Sequence, residues 1–386
     1  MTDFIKIFED NNIDYIQFHF TTLLGKFKVV EFPAEIWNDM RNGTGIDGSS
    51  LGFLKTEQSD MKIIPDFDTF NILPWNKRIA RFICDITDNH GNSYSLCPRG
   101  ILKNILKKAA SIGYKYMIRP ELEWYFMTIN KMPVDNAQYM DMPPKDKYSN
   151  LRRTITDDMI KMKIGIKTIH HEAGPGQQEV EFLADEALRQ ADNLQTAKMI
   201  IKIDSFNQNI ISSFMPKPFE KEAGSGLRIH QYLMNDGKNY FTDEIEQINN
   251  NLRYFIGGIQ KFSAEITAIL NPTTNSYRRL IPDHEAPVYN SWGIGNRTAL
   301  LRVPGYDNLN RVEYRGGDAS MNIYLGATVL LTAGLEGIKN EIEPNIPTNK
   351  NVDTMSPEER QKYGINPLPR SLELSLNALN PCVVLL

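Results

Sequence analysis

The chain has 386 residues, 41% of them hydrophobic, and a net charge of -4 at neutral pH carried by interspersed Lys, Arg, Asp and Glu. That is enough apolar material for a large core and two or three domains, and without a basic block there is no nucleic-acid partner and no membrane-surface partner to expect. Cys84, Cys97 and Cys382 lack metal-type spacing, the opening MTDFIKIFEDNN has acids where a signal peptide needs a basic-then-apolar run, and no apolar run is long enough to span a bilayer, so the expectation is a soluble cytoplasmic protein.

In chain order, residues 1–95 read as a small α+β domain and residues 96–386 as a larger one. The first opens on an amphipathic helix, followed by strands near Tyr15 to Phe20, Gly25 to Phe32 and Arg78 to Thr87. Between them Gly43 to Phe53, GTGIDGSSLGF, reads as a polar surface loop. Pro98 starts a helix that runs to Ile112, and further helices are predicted over Leu151 to Ile164, Asp185 to Ile203 and a buried one around Ile323 to Leu335. Gly226 to Leu233, GLRIHQYL, and Asn310 to Arg315, NRVEYR, are strands with one charged and one apolar face, as strands lining a site would be. Residues 340–370 read as an irregular surface segment, and Leu372 to Leu386 as a short helical tail ending in apolar CVVLL.

The chemistry concentrates on two strands. In Pro120 to Phe126, PELEWYF, alternation puts Glu121 and Glu123 on one face; in His170 to Phe182, HHEAGPGQQEVEF, Glu172 and Glu179 flank a Gly-Pro-Gly turn and Glu179 and Glu181 share a face. If the strands share a sheet, the carboxylates converge. Such a cluster is stable only when protonated, paired with Arg or Lys, or bound to a hard divalent cation. The bland alternative is two amphipathic strands with solvated Glu faces. The Gly-Ser-Gly turn at Gly224 could bring backbone N–H groups to a phosphate, although the motif is weak evidence. Arg278, Arg279, Glu285, Arg297, Arg302, Arg311, Glu313 and Arg315 either neutralise one another or bind a polyanion together with metal.

Taken in order, DGSS, PELE, HHEAGPGQQE, FMPKP with GSG and a His, NPTTNSYRRLIP with EAPVY, then NR and RVEYR closely resemble the glutamine synthetase family over about residues 12 to 375. The resemblance implies a small β-grasp-like amino-terminal domain and a larger domain whose antiparallel strands form an active-site funnel flanked by helices. It implies an ATP-dependent ligase that joins ammonium to glutamate through an acyl phosphate, with Mg2+ or Mn2+, in a homo-oligomeric ring that is hexameric or a multiple. By resemblance Glu123, Glu172 and Glu179 would hold the metal that orients the amino acid, and Glu121 and Glu313 the metal on the ATP phosphates. Arg297, Arg302, Arg311 and His230 would contact ATP, and Gly224, Arg279 and Arg315 the amino-acid substrate. Asp47, Ser50, Tyr139 and Glu285 would form the ammonium pocket, with Asp47 as base reaching in from the adjacent subunit, Glu285 as its flap, and Arg297 also acting in catalysis.

This chain departs from the family pattern at several positions. Arg228 stands where a His ligand of the phosphate-side metal is expected, Ala223 where an Asn precedes the Gly-Ser-Gly turn, Ala184 where an aromatic residue lies against adenine, and Gly295 where Arg is usual. An always-charged guanidinium cannot ligate a cation, so it would repel the metal or replace it as a fixed positive charge. The chain also ends soon after Leu368-Pro369, which leaves out the tail that ties opposed rings in bacterial relatives. These departures leave two other readings beside the ligase: a non-catalytic homologue that regulates or binds metabolites, and a ligase for another amine or acid.

Overall fold

The protein is described from a computed structural model over residues 2–242, 248–282, 285–305, 311–380 and 382. Its first unit is a five-stranded sheet of β1 (Tyr15–Thr21), β2 (Phe27–Pro33), β3 (Thr44–Asp47), β4 (Asp60–Ile72) and β5 (Ile79–Asp88), in the order β2-β1-β5-β4-β3. β1 and β5 run parallel and the other neighbours antiparallel. Helix α1 (Phe4–Asp10) begins where the Asp3 side chain accepts the Lys6 N–H, an N-cap that satisfies an otherwise unpaired donor. Phe4 and Phe8, one turn apart, then pack edge-on to Trp37, which joins Ile16, Phe18 and Phe82 in a core of its own.

Two elements here differ from the sequence reading. Thr44–Asp47 is a strand at the start of the expected loop; among the described residues it pairs with β4 alone, and as a four-residue edge strand with Gly45 in it, it carries little of the apolar alternation that marks a strand. β4 was not expected at all, because Pro65 and four Asp or Asn residues obscure its pattern. Its pairing with β5 slips between Asp66 and Asn71. The irregularity turns Asp66 toward Arg99, which also holds Asp85 and Asp192. Arg99 opens helix α3 (Pro98–Ser111), and Asp192 lies on helix α5 (Ala187–Asn207), so this buried network fastens the small sheet to the rest of the chain.

The second unit is a ten-stranded sheet. Its continuous path runs β14 (Trp292–Ile294), β15 (Leu301–Val303), β16 (Val312–Tyr314), β11 (Leu227–Asn235), β6 (Lys115–Met127), β8 (Gln177–Phe182) and β7 (Ile166–His171). β9 (Asp185–Glu186) and β10 (Ile211–Ser213) add to β6, and β12 (Lys238–Asn239) to β11. Behind it, α3, α5, α6 (Asn250–Lys261) and α9 (Ile323–Lys339) share the main apolar core with Leu122, Trp124, Ile229 and Tyr314 from the strands. α6 and α9 cross at glycines: a Cβ on Gly258 would lie 2.1 Å from the Ala333 carbonyl oxygen.

The 340–370 segment is more ordered than its composition implies. Ser356 and Glu359 form a reciprocal capping box on helix α10 (Pro357–Lys362), and Val352, Met355 and Ile365 bury against Tyr289. The tail helix α11 covers Leu372–Leu379. The apolar end of the tail, residues 383–386, and Asn310 at the head of NRVEYR lie outside the described residues.

Candidate active site

The register of the central strands builds the site. Across the sheet, Glu123 on β6 stands opposite Glu179 on β8, which stands opposite His170 on β7; Arg228 on β11 stands opposite Glu121 on β6; and His230 on β11 stands opposite Glu313 on β16. Because neighbouring strands in a sheet lie about 5 Å apart, this pairing alone crowds carboxylates, imidazoles and a guanidinium together. The Gly-Pro-Gly turn then brings Glu172 alongside. Gly176 must be a glycine there: its φ is +73° and an added Cβ would sit 2.7 Å from the Phe126 carbonyl.

Of these residues Glu121, His170, Glu172, Glu179 and Arg228 line a cavity of about 1090 Å³, together with Tyr139, Glu285, Arg297 and Arg315. Tyr139 is exposed and meets the His170 ring edge-on at 5.4 Å. Glu285 is exposed at the rim, with a left-handed φ of +61°, next to residues 283 and 284, which lie outside the described residues.

Two donor clusters emerge. In the first, His170, Glu172 and Glu179 place ligand-type atoms within 4.8 Å of one another, with His170 Nε2 3.2 Å from Glu179. Burial and the neighbouring charges of Glu123 and Glu179 push the Glu172 carboxyl up to about 8, against the pull of Arg228. Burial also raises Glu179, despite the His170 hydrogen bond and Arg228. The second cluster, Glu121, His230 and Glu313, meets the same distance criterion. There burial is outweighed: the bond and charge of His230, followed by Arg228 and Arg315, hold Glu121 low, and Arg315 and His230 do the same for Glu313. Glu313 is gripped from both sides, by Arg302 at 2.8 Å and Arg315 at 2.5 Å.

The other expected residues are held by neighbouring groups of the protein. The resemblance groups Glu123 with Glu172 and Glu179; here its Oε2 accepts the Gly226 N–H at 2.6 Å and its Oε1 faces Arg228 Nη2 at 2.6 Å, while His170 lies with Glu172 and Glu179 within 4.8 Å. Gly226 N–H thus goes to Glu123 and Ser225 N–H to the Pro216 carbonyl, so those two donors of the Gly-Ser-Gly turn are taken by the protein rather than left for a phosphate. Gly224 leaves no room for a side chain, with a built Cβ 2.6 Å from Arg279 Cγ, and its carbonyl accepts from Gln177. Arg279 is buried with its guanidinium on the Arg315 and Gly316 carbonyls, behind the cavity wall. Arg302 and Arg311 are likewise buried. The fourth strand carboxylate, Glu181, pairs with Arg119 and Lys167 rather than joining the cluster.

Asp47 and Ser50 lie at the far end of β3, outside the residues lining this cavity. Ser50 Oγ donates to Asp47 at 2.5 Å and Ser49 donates from both N–H and Oγ. These bonds hold the Asp47 carboxyl well below its usual range. Sequence reasoning passed over two residues: His170, signalled only by its place two before Glu172, and Gln177, whose Nε2 bridges Glu123 and the Gly224 carbonyl.

Comparison with known proteins settles what this arrangement belongs to. A family model described as "Glutamine synthetase, catalytic domain" matches residues 95–386, and one described as "Glutamine synthetase, beta-Grasp domain" matches residues 12–89. The chain belongs to the glutamine synthetase family. It is 40% identical to the glutamine synthetase of Thermotoga maritima over 97% of this chain and 88% of that protein. To the Methanosarcina mazei enzyme it is 38% identical, over 98% and 88%. Among solved structures, a GmaS–ADP complex superposes with a TM-score of 0.93 at 27% identity, covering 100% of this chain and 91% of that one. Plasmodium falciparum glutamine synthetase shares the fold, with a TM-score of 0.89 at 24% identity over 100% and 92% of the two chains. With the family comes its activity, ATP-dependent ligation of ammonia to glutamate to form glutamine, and its use of ATP and Mg2+ or Mn2+. The β-grasp unit is the five-stranded sheet. Among the described residues no helix is long and apolar enough to cross a membrane.

Proposed function

We propose that the cavity over β6, β8 and β11 is where glutamine is made, and that its residues divide the work between holding substrates and balancing charge. The observation that carries this reading is the cross-strand row of carboxylates, imidazole and guanidinium on the cavity floor. Forming an amide from a carboxylate needs a good leaving group, so the glutamate side chain attacks the γ-phosphorus of ATP, ADP leaves as the bond to the β–γ bridging oxygen breaks, and ammonia then displaces phosphate from the acyl phosphate. Two anions must meet in the first step. Positive charge fixed where negative charge accumulates lowers that barrier, and Arg297 and Arg315, which line the cavity, supply it. Arg302 holds Glu313 in place from the adjacent strand. The ADP in the GmaS complex supports nucleotide binding in the same fold.

The donor set fits a divalent cation best at His170, Glu172 and Glu179: their ligand-type atoms lie within 4.8 Å of one another, and the Glu172 carboxylate is bonded by the Ala173 N–H rather than by an arginine. His170, Glu172 and Glu179 would hold such a cation, and it would supply the positive charge that balances these carboxylates and the substrate's own. The Glu121, His230 and Glu313 set fits less well, being already balanced by arginines. Asp47, held anionic, suits attraction of ammonium better than storage of its proton, since an efficient base has a pKa near the working pH. Because Asp47 and Ser50 stand away from their own subunit's cavity, they favour a homo-oligomeric ring, hexameric or a multiple, in which this edge closes the neighbour's site. Tyr139 and Glu285 stand at the rim to complete it. A cytoplasmic setting suits the three free, buried cysteines, and a boundary near residue 95 suits the separate cores.

Incubation with ATP, Mg2+ or Mn2+, glutamate and ammonium tests this. Glutamine and phosphate should appear in equal amounts and require every component. A folded oligomer that yields neither overturns the reading.

A further inference from the structure

We propose that Arg228 is a built-in cation that takes the place of a second exchangeable metal, so that each nucleotide-free subunit holds a single divalent ion, at His170, Glu172 and Glu179. The proposal rests on the metal placement given above and deepens it.

The Arg228 guanidinium sits between the two donor clusters and touches both. Nη2 lies 2.6 Å from Glu123, and Nη1 lies 2.9 Å from Glu179 and 3.6 Å from Glu121. It is anchored by its backbone on β11 opposite Glu121, so the charge cannot drift away from the strands that surround it. An ammonium on a flexible stem could swing aside or lose its proton; a guanidinium forked among three carboxylates does neither. The charge balance fits. With every carboxyl ionised, as a bound cation would keep them, and the imidazoles neutral, Glu121, Glu123, Glu172, Glu179 and Glu313 would carry five negative charges, against three on the guanidiniums in ion-pair contact with them, Arg228, Arg302 and Arg315. Two negative charges remain, which is what one divalent ion neutralises.

They remain in a particular place. Glu313 is bound by both Arg302 and Arg315, and Glu121 by His230 at 2.7 Å and more weakly by Arg228. Among the described residues Glu172 has no guanidinium in ion-pair contact; its contacts are the Ala173 N–H and a distant His170 at 4.0 Å. A second divalent ion between Glu121, His230 and Glu313 would have to displace two arginines from Glu313 while lying close to Arg228. Arg228 also lines the cavity, so its charge faces the space where the carboxylate and phosphoryl groups meet. It is a positioning residue that fixes metal stoichiometry and holds Glu123 and Glu179 in register.

The test is titration of the full-length, nucleotide-free protein with Mn2+, reading free Mn2+ by electron paramagnetic resonance. Wild type should bind one Mn2+ per subunit. Arg228→His should bind two, Glu172→Gln should weaken the wild-type site by about tenfold or more, and Glu313→Gln should leave it unchanged. Circular dichroism and gel filtration establish that each variant is folded; should Arg228→His fail to fold, the two Glu variants still decide where the ion sits. Two sites in wild type, none, or a single site lost with Glu313→Gln rather than Glu172→Gln overturns the proposal, as does a folded Arg228→His that still binds one. A protein that binds one Mn2+ but makes no glutamine refutes the reaction assignment alone; one that makes glutamine with two refutes only this inference.

Discussion

Replacing Glu172 by Gln isolates the charge stored at the cavity floor. In the native protein without metal, burial and the charges of Glu123 and Glu179 push this carboxyl from its ordinary 4.5 to about 8. The native state therefore binds a proton that the unfolded chain has released across the interval between these values. Stability falls as pH rises wherever the native state holds the extra proton, so the metal-free protein should weaken steadily from acidic to mildly alkaline pH. At about 1.4 kcal/mol per tenfold in proton affinity, raising the pH from ~5.5 to ~8.5 should take away roughly 3 kcal/mol through this one group. Glu172→Gln has no proton to release and should lose that part of the slope. Equilibrium urea unfolding in EDTA at the two pH values, wild type against variant, measures the difference directly. Added Mn2+ should restore wild type at high pH and do little for the variant. If the two proteins show the same pH dependence in EDTA, Glu172 is not under the crowding described, and the charge balance that places the metal there fails with it.

Three further outcomes follow from packing and ion pairs. Gly258→Ala pushes a methyl group to 2.1 Å from the Ala333 carbonyl where α6 crosses α9, and should cost about 3 kcal/mol in urea unfolding; a loss below about 1 kcal/mol would mean the helices part freely. Arg99→Met strips the cation from Asp66, Asp85 and Asp192 at the junction between the two sheets. A loss of about 3–5 kcal/mol is expected, with faster proteolysis near residues 89–97, and unaltered proteolysis would show that the network does not fasten the units. Asp47→Asn should raise KM for ammonium by about tenfold, as the loss of about 1.4 kcal/mol of attraction between carboxylate and cation would, while KM for glutamate stays the same; equal KM values for ammonium would remove Asp47 from its path.

The sequence showed much of the site because strands that carry it announce themselves by alternation. Glu121 with Glu123, and Glu179 with Glu181, could be placed on shared faces before any fold was known, and β6 and β8 do lie side by side. It did not show that Glu181 would be claimed by Arg119 and Lys167, or that Glu123 would turn to Arg228 and the Gly226 N–H. Those pairings join residues far apart in the chain through register, and register is a property of two strands at once. β3 and β4 were hidden for a related reason: an edge strand and a slipped, Pro-containing strand hold their place through partners rather than through their own propensity.

By itself the sequence determined which chemistry this protein brings: ordered acidic, histidine and arginine motifs that identify a glutamine synthetase relative, and an arginine at position 228 where the pattern leads one to expect a metal ligand. Only the tertiary structure decided what that arginine touches. Alternation fixes a side chain's face, but whether a charge is balanced depends on distances across four strands, and it is there that Arg228 meets Glu121, Glu123 and Glu179 while Glu172 is left without a guanidinium partner among the described residues.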